Sequence, residues 1–286
     1  MKFQYFFLLM ISFQCFSQQE ADIYISTSEN YFDSHEVVYN YMLANDVNLR
    51  AQPSSKSKQV EQLKIGQNII VLKRSEKMDS IKGIKANWYQ VETASHKGWI
   101  WGGYISQNSF GSQTNTAIKF VYGLEKIVLK DGWYQKYYQI RAFKDTVEID
   151  KVVFKSYSTH IEYVKANGSM GLSLDDVITI GIPCVGGCGC STGELVIFWN
   201  GKQFSEVEYL LGTADAWASE YTNFTFPVHM EGIPNKIIKT TVLFIDATED
   251  GMITRQKIVE QFVWTGNRLI TDKTVKKTEE TYVIVE

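Results

Sequence analysis

The stretch DVNLRAQPSSKSKQVEQLKIGQNIIVL at residues 46–72, followed by WYQVE at 88–92 and KGWIWGGYI at 97–105, decides the fold of the first half of this chain. Val47, Leu49, Val60, Leu63, Ile65 and the run from Ile69 to Leu72 come in brief apolar bursts, the pattern of short buried strands. Pro53, Gly66, Gly83 and Gly98 punctuate those bursts. Trp88, Trp99 and Trp101 add bulk that a segment this short cannot obtain from aliphatics alone. That order of residues suits one small β-barrel. Trp88 and Trp99 are expected to pack. Tyr89, Trp101 and Tyr104 alternate to other faces or lie beside Gly102-Gly103, and are the candidates for an exposed surface that contacts a ligand.

VNLRAQPS at 47–54, Leu63 with Gly66, Trp88 with Val91, GWI at 98–100 and Tyr104-Ile105 together resemble the bacterial SH3 domain, a binding module found on secreted proteins and often on cell-wall enzymes. The resemblance covers residues 41–107 and leaves the larger part of the chain unaccounted for. It implies an SH3-like barrel that recognises a cell-wall peptide or an extended segment of an envelope protein.

Working outward, Lys2 and the apolar run FQYFFLLMISF end at Gln14-Cys15-Phe16-Ser17, which reads as a signal peptide over 1–17 cut before Gln18. The run is too short for a permanent membrane span. Gln14 argues against lipid anchoring through Cys15, because a lipoprotein site wants a small residue immediately before its cysteine. The expected location is therefore periplasmic or extracellular. Residues 18–40 mix Ser, Asp and Glu with scattered aromatics and read as an irregular approach segment. With 29 basic and 32 acidic side chains and no block of like charge, nothing points to nucleic acid or to a polybasic membrane patch.

The polar QNSFGSQTNT at 107–116 has no periodicity, and residues 108–116 are expected as a linker. Beyond it, TAIKFVYG, YYQIRAF, TVEIDKVVF, DVITIGI, ELVIFW, TTVLFID and QFVW alternate or run apolar as strands do, separated by Lys130-Asp131-Gly132, Asn167-Gly168, Asn200-Gly201, Asp250-Gly251 and Gly266-Asn267. FWNGKQF at 198–204 and VWTGNRL at 263–269 share a strand, a Trp, a turn Gly and a basic-then-apolar exit, which reads as the same hairpin chemistry used twice. Ser205 to Tyr221 is the place for one or two short helical turns. The fold class expected is all-β: an SH3-like barrel, then an antiparallel β domain over 117–286 built as a sandwich or as propeller-like meanders.

Candidate chemistry is sparse. PCVGGCGCSTG at 183–193 carries Cys184, Cys188 and Cys190, an odd number in the exported protein, and a disulfide from Cys184 to Cys188 or Cys190 is favoured over a metal or redox site. A zinc site lacks its fourth nearby ligand, and a redox pair wants Cys-x-x-Cys at a helix start. Bacterial SH3 domains often precede cysteine peptidases of the NlpC type. Cys190 with His229 in FPVHM is the loose counterpart here, but the Asp expected before the nucleophile is missing and a hairpin pattern follows Cys190 in place of a helix. DATEDGMIT at 246–254 has the oxygen spacing of the start of a calcium loop, but its twelfth position is Lys257, so a hairpin turn is the simpler reading. No nucleophile-elbow or phosphate-binding glycine pattern occurs. The expectation is a non-catalytic binding protein without metal or cofactor, with a wall-peptide cysteine peptidase using Cys190 and His229 as the alternative.

Overall fold

The computed structural model describes residues 39–156, 161–184, 191–214, 218–246 and 252–283. The proposed leader, most of the approach segment, Cys188, Cys190 and the centre of the 246–254 loop lie outside the described residues. What is described is antiparallel β-structure, and its one helical element is a 3-10 turn at Gly102–Tyr104.

Six strands form the first sheet: β1 (Tyr39–Tyr41), β2 (Val47–Arg50), β3 (Gln59–Leu63), β4 (Asn68–Ile81), β5 (Ile84–Glu92) and β6 (Lys97–Trp101), in the order β1-β4-β5-β6-β2-β3. An isolated bridge from Met42 to Ile105 ties the start of the sheet to the segment after the 3-10 turn. Its interior is filled by Met42, Val47, Leu49, Leu63, Ile69, Tyr89, Val91, Ile100 and Ile105. The side-chain period of two puts alternate residues of β5 on opposite faces. Tyr89 and Val91 point into the barrel, while Ile84, Ala86 and Trp88 join a different core outside it.

That second core is the centre of the molecule. A four-stranded sheet, β7 (Asn108–Gly111), β8 (Lys119–Lys130), β9 (Trp133–Lys144) and β10 (Val147–Ser156), runs in the order β10-β9-β8-β7. An eight-stranded meander follows in chain order: β11 (Tyr163–Ala166), β12 (Asp176–Ile182), β13 (Ser191–Trp199), β14 (Phe204–Ala214), β15 (Ala218–Thr225), β16 (Ile237–Asp246), β17 (Met252–Trp264) and β18 (Leu269–Val283). Phe120, Tyr122 and Ile140 of the smaller sheet pack on Ile178, Ile180, Leu195, Ile197 and Trp199 of the larger, with Trp88 and Trp101 of the barrel in the same cluster. The part beyond the barrel is thus a sandwich over β11–β14, and the barrel's outer face closes one side of its core. Val177, Val196 and Phe198 face the other way and meet Phe224, Ile237 and Trp264, so the meander curls back over its own first strands.

Two local expectations differ from what forms. Residues 108–116 connect barrel and sandwich as ordered structure: β7 pairs with β8, and the buried Asp176 accepts bonds from Ser112 Oγ (2.5 Å) and from the Gln113 backbone N–H (2.9 Å). Polar composition marked this segment as a linker, but Ser112 and the Gln113 N–H satisfy one buried carboxylate and so fix it. The helical turns expected between Ser205 and Tyr221 are strands β14 and β15. Tyr209 and Leu211 pack against one core and Leu210 sits in the other, a two-sided burial that only an extended chain provides. The paired Trp motifs are the same device: Trp199 pairs with Phe204 and Trp264 with Leu269, across turns whose Gly201 and Gly266 have φ of 86° and 93°.

Candidate binding pocket on the barrel

The alternation that buries Val47 and Leu49 turns Asn48 and Arg50 of β2 outward. They line a pocket of about 170 Å³ together with Asn45, Asp46, Ser55, Ile81, Trp88, Trp101 and Tyr104. The apolar wall is fixed from behind. Trp88 Nε1 donates to Asp79 Oδ2 (2.8 Å) and Trp101 Nε1 to the Asp79 carbonyl (3.0 Å), so one residue of β4 orients both indoles. Tyr104, on the 3-10 turn, meets Trp101 edge-on at 5.0 Å between centroids. Gly103 permits this packing, since a Cβ there would lie 2.0 Å from the Trp101 ring.

The rim is polar and mostly held in place. Arg50 Nη1 donates to the Ser57 carbonyl (2.8 Å), which braces the β2–β3 loop. Asn45 Oδ1 accepts from the Ile65 N–H (3.1 Å) and its Nδ2 donates to Glu148 Oε2 (2.8 Å), linking the pocket edge to β10. Asn48 Oδ1 is buried with no hydrogen-bond partner. A guanidinium and an aromatic wall with a polar rim make an arrangement that attracts a carboxylate and covers an apolar stem. The volume is below the roughly 300–1,000 Å³ of cofactor-sized sites. It suits one residue of a longer chain.

The three aromatics expected to be exposed are placed unequally. Tyr89, 3 % exposed, points into the barrel core, and Trp101, 2 % exposed, lies in the core shared with the sandwich. The expectation of exposure is corrected for both, because the docked sandwich covers the outer face that carries Trp101. Tyr104 is half-buried. Trp101 and Tyr104 nevertheless meet at the pocket, and Tyr89 does not reach it. Sequence reading passed over Asp46, Asn48, Arg50 and Ser55. The outward positions of VNLR carried a signal for two of them, while Asp46, with φ of 57°, and Ser55 are set by turn geometry.

Elsewhere the candidate chemistry does not assemble among the described residues. Cys184 ends the strand side of the glycine-rich loop and is not free, while Cys188 and Cys190 lie outside the described residues. Residues Ser191–Trp199, directly after Cys190, are a strand, and no helix begins there. His229 is exposed, and its Nδ1 accepts the Phe226 N–H at 3.2 Å. At the base of the cysteine loop the Tyr163 hydroxyl donates to Glu194, and burial first, then that bond and nearby carboxylate charge, raise the phenol's pKa. The 246–254 segment joins β16 to β17, whose ends pair at Asp246 and Ile253, so it closes a long hairpin. Among the described residues no cluster of three potential ligands could hold a metal ion, and no helix is long and apolar enough to cross a membrane.

Residues 45–106 match the bacterial SH3 domain family. The match covers the barrel from β2 onward and the whole pocket, leaves out β1 and stops before β7. A bacterial SH3 domain suggests a cell-wall binding module. No curated protein and no solved structure shows a significant match to this chain.

Proposed function

We propose that this protein is a non-catalytic binding protein of the cell envelope, exported by its leader, whose SH3-like barrel holds an extended cell-wall peptide at the Arg50–Tyr104 pocket. The pocket carries this reading: Arg50 supplies a cation for a peptide carboxylate, the Asn48 side chain a polar rim contact, and Trp101 with Tyr104 an apolar wall. Its size admits one residue of a chain that continues over the surface. An extended segment of an envelope protein would use the same three contacts, and the ligand is what separates the two versions. Absence of catalysis is supported by the strand after Cys190 and by the use of His229 Nδ1 within its own turn. A disulfide from Cys184 into the glycine-rich loop belongs to the same reading of an exported protein.

The test uses the full exported chain, because Trp88 and Trp101 would lose their cover in an isolated barrel. Co-sedimentation with purified peptidoglycan sacs should retain the protein. Arg50→Gln, which removes a charge-assisted contact of roughly 1.5–3 kcal/mol, should weaken retention roughly tenfold or more, while loss of its brace on the Ser57 carbonyl lowers the melting temperature by only about a few degrees. Retention equal to that of an unrelated exported protein would rule out the wall, and solubilised sac material released by the wild type would revive the peptidase.

A further inference from the structure

The β8–β9 hairpin runs past the sandwich. Its base is braced: the Ile127 N–H donates to the Lys82 carbonyl of the β4–β5 turn at 3.0 Å, and a Cβ on Gly83 would lie 2.2 Å from the Ile127 carbonyl oxygen. Beyond Ile127 nothing covers the ribbon. Leu129 is 61 %, Trp133 77 % and Tyr134 52 % exposed, and Val128 is exposed beside them. The cross-strand register puts Leu129 opposite Tyr134 on one face and Lys130 opposite Trp133 on the other, so each face of the tip carries an exposed aromatic side chain. Asp131 and Gly132, with φ of 54° and 80°, close it as a tight turn.

Single exposed apolar residues are ordinary, but four of them on one projecting two-stranded tip are not. A convex tip with exposed apolar side chains on both faces finds little complement on a flat protein surface, whereas a fluid phase surrounds it. Trp and Tyr are the residues that settle at the boundary between headgroups and acyl chains. The cations lie where headgroup phosphates would be. Lys126 and Lys130 are exposed and Lys136 is half-buried, against the one acid Asp131 at the apex, while Glu125 is matched by Lys82 at 2.7 Å. We infer that the Val128–Tyr134 hairpin tip inserts into the headgroup region of an anionic lipid bilayer, with Lys126 and Lys130 on the lipid phosphates. This attachment is independent of the barrel pocket and places the wall-binding module beside a membrane surface.

The measurement is co-sedimentation of the full exported chain with vesicles of phosphatidylglycerol mixed with phosphatidylcholine, compared with phosphatidylcholine alone, at about 0.1 M salt where screening is already substantial. Wild type should pellet with the anionic vesicles. The double substitution Leu129→Ser with Trp133→Ser should lower the bound fraction roughly tenfold, and Lys130→Gln roughly fivefold. All three positions are exposed, so an unchanged melting temperature and unchanged retention on peptidoglycan sacs keep a folding defect and the barrel's activity separate from the result. Failure of the wild type to pellet, or equal pelleting of the double variant, overturns the proposal. So does a wild-type dimer in sedimentation velocity that the double variant abolishes, since the tip's partner would then be a second copy of this chain.

Discussion

Strands β11–β14 and strands β15–β18 belong to one antiparallel ladder, yet Ile178, Leu195, Ile197 and Trp199 are sealed under the four-stranded sheet while every residue of β17 from Thr254 to Val263 is half-exposed. The hydrogen-bonded ladder is continuous through both halves. What differs is the second layer. Strand pairing alone contributes little net stability, because the unfolded backbone bonds to water instead, whereas each sealed apolar side chain contributes a burial term. The near ends of β15–β18 still share a core through Phe224, Ile237, Phe262 and Trp264. Their far ends, from Ala218 to Thr281, do not. The largest test of this contrast is Trp199→Ala. Trp199 is fully buried, meets Phe120 edge-on at 5.7 Å and Phe204 at 4.7 Å, and its removal opens a cavity at the centre of three packed elements. The expected cost in urea unfolding is about 3–5 kcal/mol. The indole Nε1 has no partner, which trims that value and does not reverse it. A loss below ~1 kcal/mol would mean that the sandwich core is not the main source of stability.

A second test addresses the same core through pH. Tyr122, Tyr138 and Phe154 stack between the sheets, with the two phenol rings 5.4 Å apart. Burial pushes the Tyr138 phenol up to about 12 from an ordinary 10.0, and burial together with Tyr138 raises Tyr122 as well. The folded state therefore keeps these phenols protonated at pH values where the unfolded chain has released the proton. The Tyr138 contribution is fully present below pH 10 and is lost as pH climbs from about 10 to about 12, and Tyr122 acts in the same direction. Two pKa units on Tyr138 alone correspond to about 2–3 kcal/mol over that interval. Absorbance of the phenolates near 295 nm should show buried tyrosines titrating only together with loss of structure. Reversible titration of every tyrosine around pH 10, with the fold intact, would mean the stack is open to solvent.

Much of this architecture is written in local periodicity. VNLR, QVE and GWIW alternate as barrel strands must, and Asp131-Gly132, Gly201 and Gly266 mark turns whose positive φ values they then adopt. Less legible is anything that depends on which second face meets a strand. Trp88 reads as a packing residue and Trp101 as an exposed one, yet both join the core that the barrel shares with the sandwich. FSEVEYLLG lacks clean alternation because Leu210 and Leu211 serve two different cores, which left room for a helical reading. The polar 108–116 segment conceals its order because the partner that fixes it, Asp176, is more than sixty residues away. The pocket shares this character. Its aromatic wall was visible in KGWIWGGY, but Asn48 and Arg50 acquire meaning only when the β2–β3 loop and the 3-10 turn converge on them.

The smallest expected effect lies at the far end of the meander, where the comparison is most easily sharpened. Arg255 on β17 faces Glu280 on β18, its directly paired neighbour, with Nη1 and Oε2 3.6 Å apart, and its guanidinium sits 5.9 Å from the centre of the Phe244 ring on β16. The Arg255 side chain is 34 % and the Glu280 side chain 65 % exposed, so water screens the pair and competes for both groups. In a two-layered region the same pair would be desolvated, and breaking it would leave a buried charge at a cost of several kcal/mol. In a single layer the coupling should be about 0.2–1 kcal/mol, with the ring contact adding a similar amount to the Arg255 single substitution. A double-mutant cycle with Arg255→Gln and Glu280→Gln measures the pair alone, and repeating it in 1 M salt should reduce the coupling further, because the Debye length there is about 3 Å. A coupling above ~2 kcal/mol that salt does not diminish would show that something covers this end of the sheet, and the contrast between its sealed and open halves would no longer hold.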